Sequence, residues 1–518
     1  MARSPDSPIN PWIIAVSVML GTFMEVLDTT VVNVSLPHIA GNMAATPEEA
    51  TWVLTSYLVA NAIILPMTGW LANHFGRKRI LLLSVSGFTL ASMACGVAPS
   101  LGSLIVFRVI QGACGGGLQP LSQAIMLEAF PPEKRGRAMA FWALGIVVAP
   151  MLGPVVGGWI TDSYSWRWLF YINIPVGLAA LAMCFLFIFD PPYIRRASAR
   201  IDYWGIGLLA VGMGALQIFL DKGQEEDWFS SRFIQGLAVT AAVGLLLFIV
   251  NELRSPHPVV NLRVLKIRTY STGVFLMTVL GFVLYGSTVL IPIWLQTLMD
   301  YSALQAGLAM LPRGLGSFLF MPIVGILTTK IEPRKLLSVG LLASSASLFL
   351  LGALNLDAGY WDIFWPLILQ GTSLGLLFVP LTTVTHDPIP QEQMGNATSI
   401  FNLMRNIGGS IGIATTTTLV ARNTQRHLNI LGAHVTPYDT ATRMTFEGLR
   451  RYFMAQGADM VTATQRAYGA LFGMVVRQAA MLSFVDVFRL LGILFLLALP
   501  LILLMRRPRH HDRPAVAD

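Results

Sequence analysis

Between Pro11 and Ile39 the only charged side chains are two carboxylates, Glu25 and Asp28, set three residues apart in the stretch GTFMEVLDTTVVNVSLP. Residues at i and i+3 share one face of a helix, so both acids can turn the same way. An ionised group at the centre of a bilayer costs at least ~2.5–3.5 kcal/mol on insertion scales. An acid kept there against that cost is suited to binding and releasing a proton, or to meeting a cation. Two roles stay open for Asp28: proton coupling, or capping and packing through Thr29, Thr30 or Asn33. Glu25 is open to coupling or to a cationic substrate.

Other polar residues interrupt apolar runs further along. Arg108 sits in LIVFRVIQG, and Asn402, Arg405 and Asn406 sit in FNLMRNIGGSIG, with Asn402 and Arg405 three apart. Arg405 could line a cavity and bind an anion, or neutralise an acid. Gln123, Gln296 and Asn33 are further candidates for substrate contact. Gln370, Asp221, Glu252 and Asp486 are weaker ones, several near helix ends where snorkelling explains them.

The elements that must hold these residues follow from composition. Of 518 residues 54% are hydrophobic and 12% charged, and the mean hydropathy is +0.64. A soluble protein carries about 25% charged residues, so the chain reads as an integral membrane protein. The net charge of +8 lies in short clusters between apolar runs, which argues against nucleic acid. Cys95, Cys114 and Cys184 all fall inside apolar runs, so no disulfide framework is expected. No P-loop and no metal-ligand spacing occurs, and nothing suggests an enzyme.

A spanning helix takes about 20 apolar residues. By that measure about fourteen segments qualify: 13–34, 51–72, 80–98, 102–127, 137–161, 168–189, 203–221, 232–251, 271–296, 304–328, 335–354, 363–385, 397–420 and 484–505. The basic clusters 74–79, 131–137, 193–200, 261–268, 328–335 and 506–513 then fall on one side, with both termini, and the acidic loop 221–232 falls opposite. The positive-inside rule assigns the basic side to the cytoplasm. Residues 422–483 form a long outer interruption in which 440–457 and 462–482 read as amphipathic helices.

The chain also repeats. PMTGWLANHFGRKRILLL from Pro66 matches PIVGILTTKIEPRKLLSV from Pro322, and VIQGACGGGLQPLSQ from Val109 matches LILQGTSLGLLFVPLTT from Leu367, with Gln111-Gly112 opposite Gln370-Gly371. Two matches in order and at similar offsets indicate a duplicated six-helix unit, as in transporters that rock about a central site. The expected domains are 1–190, an N-terminal six-helix bundle; 191–268, two inserted helices; and 269–518, a C-terminal six-helix bundle with the long loop at about 422–483.

GWLANHFGRKR resembles the loop motif between the second and third helices of the major facilitator superfamily. LIVFRVIQG resembles its fourth-helix motif, and GIVVAPMLGPVVGG its antiporter motif in the fifth helix. LDTTVVNVSLP and WRWLFYINIPVG resemble the fourteen-helix drug:proton antiporter branch. The resemblance implies an all-α major facilitator fold and an exporter of hydrophobic or amphiphilic drugs, driven by the proton motive force without a cofactor. It implies that Arg108 assists proton transfer with Asp28 and Glu25, the alternative being a structural ion pair. Gly145, Gly153, Pro154, Gly157 and Gly158 would form the gating motif, which close helix packing also explains. Gly69, Asn73, Gly76, Arg77 and Lys78 would form the loop motif. The family usually has an acid where this chain has Asn73, which weakens that gate here. The resemblance also implies a bacterial inner-membrane location, with a periplasmic membrane fusion (adaptor) protein and an outer-membrane channel as partners. Export of a physiological solute such as a fatty acid, amino acid or siderophore stays open, and a scaffold without transport would need neither buried charges nor a duplicated core.

Overall fold

The computed structural model describes residues 10–190 and 201–505. The basic clusters at 193–200 and 506–513 lie outside the described residues. The described chain is helical throughout, with no strand among the described residues.

Thirteen described helices are long and apolar enough to cross a membrane. With one more, they are labelled α1 (Pro11–Val34), α2 (Pro47–Phe75), α3 (Arg77–Gly96), α4 (Leu101–Ala129), α5 (Arg135–Ser163), α6 (Trp168–Phe187), α7 (Tyr203–Lys222), α8 (Arg232–Arg254), α9 (Arg268–Thr297), α10 (Leu304–Leu327), α11 (Pro333–Leu351), α12 (Tyr360–His386), α13 (Met394–His434) and α14 (Met460–Leu504). The additional helix is α13. Polar residues such as Asn402, Arg405 and Asn406 keep its composition below the apolar threshold, yet it packs against α2, α4, α9 and α14 inside the bundle. A helix whose polar groups face other helices need not be apolar all round.

Local signals set the helix ends. Asn10 accepts from the amide of Trp12 ahead of Pro11 in α1, and Thr46 and Glu49 form a reciprocal capping box at α2. Gly76 takes φ +95° between α2 and α3, a left-handed conformation that other residues adopt at a cost. α4 breaks at Gly116–Gly117. Pro120 has no amide to donate four residues back, and Gly112 and Gly116 lie against the carbonyls of Tyr57 and Asn61 on α2.

α1 lies against α5, α6 and the second part of α4. Glycines set the α1–α5 spacing: a Cβ on Gly153 would come within 2.2 Å of Thr30 Oγ1, and one on Gly157 within 2.9 Å of the Val31 carbonyl. α9, α10, α12 and α13 make the corresponding cluster in the second half. α7 and α8 pack on each other where Gly212 and Gly244 meet, and α7 touches α2 and α13.

Residues 422–483 differ from the long loop read there. α13 runs 41 residues and the α-helical part of α14 runs 39, about 60 Å each and twice the thickness of a bilayer core. Both therefore project well beyond it. The amphipathic stretch 440–457 is a separate helix, Thr440–Ala455, capped by Asp439. The stretch 462–482 is the first part of α14 itself: it has no proline, and the helix runs through Gly469 and Gly473. The Thr440–Ala455 helix packs on α14, with Phe446 and Tyr468 rings 4.5 Å apart.

Candidate functional site

Asp28 and Arg108 are brought together in the first half. Arg108 Nη1 donates to Asp28 Oδ2 at 2.5 Å, and neither side chain has any exposed surface. The second carboxylate oxygen, Oδ1, accepts from Gln111 Nε2 at 3.0 Å and Asn173 Nδ2 at 2.7 Å. Arg108 also donates to Gln111 Oε1 at 2.8 Å and to the Val53 carbonyl at 3.0 Å, and its guanidinium lies 4.2 Å from the centre of the Tyr57 ring. Asn173 is oriented in turn by Ser92, whose hydroxyl donates to the Phe170 carbonyl. A buried pair of this kind is retained only when such hydrogen bonds complete it. Protonating Asp28 would remove the anion from that set and leave Arg108 on neutral acceptors.

Glu25 lies beside this pair but bonds differently. It accepts from Gln119 Nε2 at 2.6 Å, Asn61 Nδ2 at 3.1 Å and Tyr57 Oη at 3.4 Å. The carbonyl oxygen of Gln119 accepts from Arg405 Nη2, across the interface between the halves. One amide thus ties the α1 acid to the α13 guanidinium, which leans on Asn406 Oδ1 at 3.3 Å. Asn402 Nδ2 donates to Gln123 Oε1 at 2.5 Å, a second cross-half bond three residues away. Arg405 Nη1, Gln123 Nε2 and Asn402 Oδ1 are buried without a partner, so unused donors and an acceptor remain at this junction.

The structure separates other sequence candidates from the cluster. Gln296 is exposed and donates to the Pro292 carbonyl of its own helix, and Asn33 is exposed near the end of α1. Both are polar residues near helix termini, so apolar flanks in sequence misplace them. Asp221 accepts from Thr55 and Glu252 accepts from the Val260 amide, both near helix ends, and Asp486, inside the long α14, bonds to His427. Along the fifth-helix motif, a Cβ on Gly145 would strike Met19 and one on Gly153 would strike Thr30, whereas Gly158 has nothing within 4 Å. Three of these glycines, Gly145, Gly153 and Gly157, face α1, which bears both acids; the side chain of Pro154 is outside what is described.

The loop motif closes one end of the bundle. A Cβ on Gly69 would lie 2.6 Å from the Asn396 amide nitrogen, and the Gly69 amide donates to Ser399 Oγ at 3.1 Å. The matching glycine of the second repeat, Gly325, packs against Gly136 and Arg137 at the start of α5. Arg77 holds Glu128 through two bonds of 2.5 and 3.0 Å, and Asp190 accepts from the Lys78 amide at 2.7 Å, at the start of α3. Asn73 enters no hydrogen bond with the described residues.

The family model described as Major Facilitator Superfamily matches residues 18–413. The chain belongs to the major facilitator superfamily. Among its relatives is the multidrug export protein EmrB of Haemophilus influenzae, 41% identical over 85% of this chain and 86% of that one. The fatty acid resistance protein FarB of Neisseria gonorrhoeae is 37% identical over 96% of each chain. EmrB of Escherichia coli K12 is 38% identical over 96% of this chain and 95% of its own. Two solved structures share the fold: human MFSD10, an organic anion transporter, with a TM-score of 0.59 at 14% identity over 95% of this chain and all of that one, and a double-tryptophan mutant of XylE, with 0.61 at 14% over 96% and 97%.

Membership in this superfamily makes the chain a multi-pass membrane transporter and not an enzyme. Its polar centre includes residues that the sequence reading did not assign to the site. Gln111 had a signal, lying three residues from Arg108 on the same helix face. Asn173 stood inside a quoted motif, but only folding brings it to Asp28. Gln119, Asn61 and Tyr57 carried no local signal, because nothing in their spacing says that they meet Glu25.

Proposed function

We propose that this transporter is a proton-driven exporter of hydrophobic and amphiphilic compounds across the bacterial inner membrane, with the basic loops and both termini in the cytoplasm. The observation that carries this reading is the fully buried Asp28–Arg108 pair with Glu25 beside it, since charges at bilayer depth mark ion and proton pathways. Full-length similarity to multidrug export proteins supports the substrate class.

Alternating access would proceed through these contacts. Substrate enters from the cytoplasm or inner leaflet and displaces a proton from Asp28, or from Glu25. Loss or gain of charge at Glu25 alters the bond between Gln119 and Arg405, which crosses the halves. The halves rock, substrate leaves, and protonation from outside resets the cycle. The domains would be the two six-helix bundles, with α7 and α8 as an insert between them.

Proteoliposomes test this directly. Wild type should move protons when a transported lipophilic compound is added, and Asp28→Asn should bind the compound without moving protons. Coupled flux retained in Asp28→Asn would make Asp28 structural.

The outer ends of α13 and α14 with the Thr440–Ala455 helix would dock a periplasmic adaptor of the EmrA type, leading to an outer-membrane channel of the TolC type. Tyr452, Phe472 and Met444 are exposed there, in numbers that favour a protein contact. Tyr452→Asp with Phe472→Asp should abolish co-purification with the adaptor while the chain still inserts; unchanged co-purification would refute docking at this surface.

A further inference from the structure

Where the first half carries the acid Asp28 the second half is neutral, and where the second half carries the cation Arg313 the first half is neutral. In the first half, Gln111 Nε2 donates to Asp28, and the neighbouring Gly112 lies against the Tyr57 carbonyl of α2. In the second half, Gln370 Nε2 donates to Ser287 Oγ at 3.3 Å, and Gly371 lies against the Arg313 carbonyl of α10. Gln370-Gly371 is the repeat match of Gln111-Gly112, so Ser287 stands where the first half has its acid, and Arg313 where it has Tyr57. The second half has a cation there, and no described carboxylate pairs with it.

Arg313 is 4% exposed. It lies nine residues from the outer end of α10 and fourteen from the inner end, about 14 and 21 Å along the axis, within the apolar depth of the span. Its guanidinium donates to Thr288 Oγ1 at 2.9 Å, and it forms no ion pair with a described residue. Of the other guanidiniums deep in the bundle, Arg108 has Asp28 directly, and Arg405 is joined to Glu25 through the Gln119 amide. Beside Ser287, Gln370 Oε1 is buried without a partner. A buried cation without a counter-ion is costly unless something supplies the charge, and Thr288 is only half-buried, which leaves a side from which a ligand can approach.

We propose that Arg313 and Thr288, with Ser287 and Gln370 alongside, bind the acidic head group of an amphiphilic substrate. This deepens the export reading and rests on it: the transported class would include anionic amphiphiles such as long-chain carboxylates, held by the second half, while the first half handles the proton. Guanidinium meets carboxylate in a two-pronged arrangement that lysine cannot copy, and the Thr288 hydroxyl, which donates to the Leu284 carbonyl, holds the arginine as its acceptor. The alkyl tail would lie along the surrounding leucines and valines of α9 and α10.

The test is equilibrium binding to purified full-length protein in nanodiscs, without a proton gradient. The probes are radiolabelled dodecanoate and dodecyltrimethylammonium, which share a chain and differ in head-group charge. The variants are Arg313→Gln, which removes the cation, and Thr288→Asp, which keeps it but supplies an internal carboxylate at the atom Arg313 already contacts. Both should weaken dodecanoate binding about tenfold or more and leave the ammonium probe unchanged, with Arg313→Lys intermediate. The proposal is overturned if wild type does not bind dodecanoate, if both variants bind it normally, or if they lose both probes alike, which would mark a packing role. Failure of the export reading would appear elsewhere, as proton flux indifferent to Asp28→Asn, so the two outcomes are separable.

Discussion

The Asp28–Arg108 pair gives the clearest energetics of any contact in the protein. Both groups are withdrawn from water, and removing one leaves the other charged and uncompensated at a cost of about 3–5 kcal/mol. Asp28→Asn should therefore lower the unfolding temperature in detergent as well as uncouple transport. The double variant Asp28→Asn with Arg108→Gln should regain much of that stability, because neither charge remains, and should still fail to couple. Thermal unfolding of the three proteins separates the two effects: a double variant no more stable than the single one would mean that Gln111, Asn173 and the Val53 carbonyl, rather than the charge pairing, hold the site. Glu25 is the more adaptable acid, since its partners are all neutral and one of them, Gln119, belongs also to Arg405.

Helices position these residues through close backbone approach more than through bulk. On α5, Gly153 touches Thr30 two residues beyond Asp28, whereas Gly158 on the same helix faces open space. Gly153→Ala should force α1 and α5 apart, cost about 1–3 kcal/mol through overpacking and reduce transport. Gly158→Ala should leave both stability and transport as they are. Comparing the two by thermal unfolding and substrate flux tests whether the motif acts through this one contact; equal effects would show a general requirement for small residues. The break in α4 at Gly116–Gly117 works at the same scale, since the following turn brings Gln119 and Gln123 to Glu25 and Asn402.

For the whole molecule, the contacts at the basic-loop end are the informative ones. Gly69 meets the start of α13 and Gly325 meets the start of α5, so matching glycines of the two repeats close one end against the opposite half. A methyl at Gly69 would collide with Asn396 backbone, which cannot rotate away. Gly69→Ala should hold this end apart, and spin labels at the exposed positions Phe75 and Ile331 should report a longer distance than in wild type. An unchanged distance would place the closing contacts elsewhere, with Arg77–Glu128 and Asp190 at Lys78 the next to examine. Those bonds stay within the first half, and Asn73 adds none.

The linear sequence alone determined the fold class, because length, apolar runs and basic clusters follow from what a bilayer demands of any chain. It determined the repeat, through Gln111-Gly112 and Gln370-Gly371. It also singled out Glu25, Asp28, Arg108, Asn402 and Arg405, since a charged or amide group in an apolar run is conspicuous without a structure. Tertiary structure decided the rest. Which acid takes the arginine, that Gln119 joins Glu25 to Arg405, that Asn173 completes Asp28, and that Gln296 and Asn33 stand apart all depend on contacts between residues distant in sequence. Arg313 passed unnoticed although it stands inside the apolar span 304–328: only the packing of α9, α10 and α12 shows that it is buried without an acid.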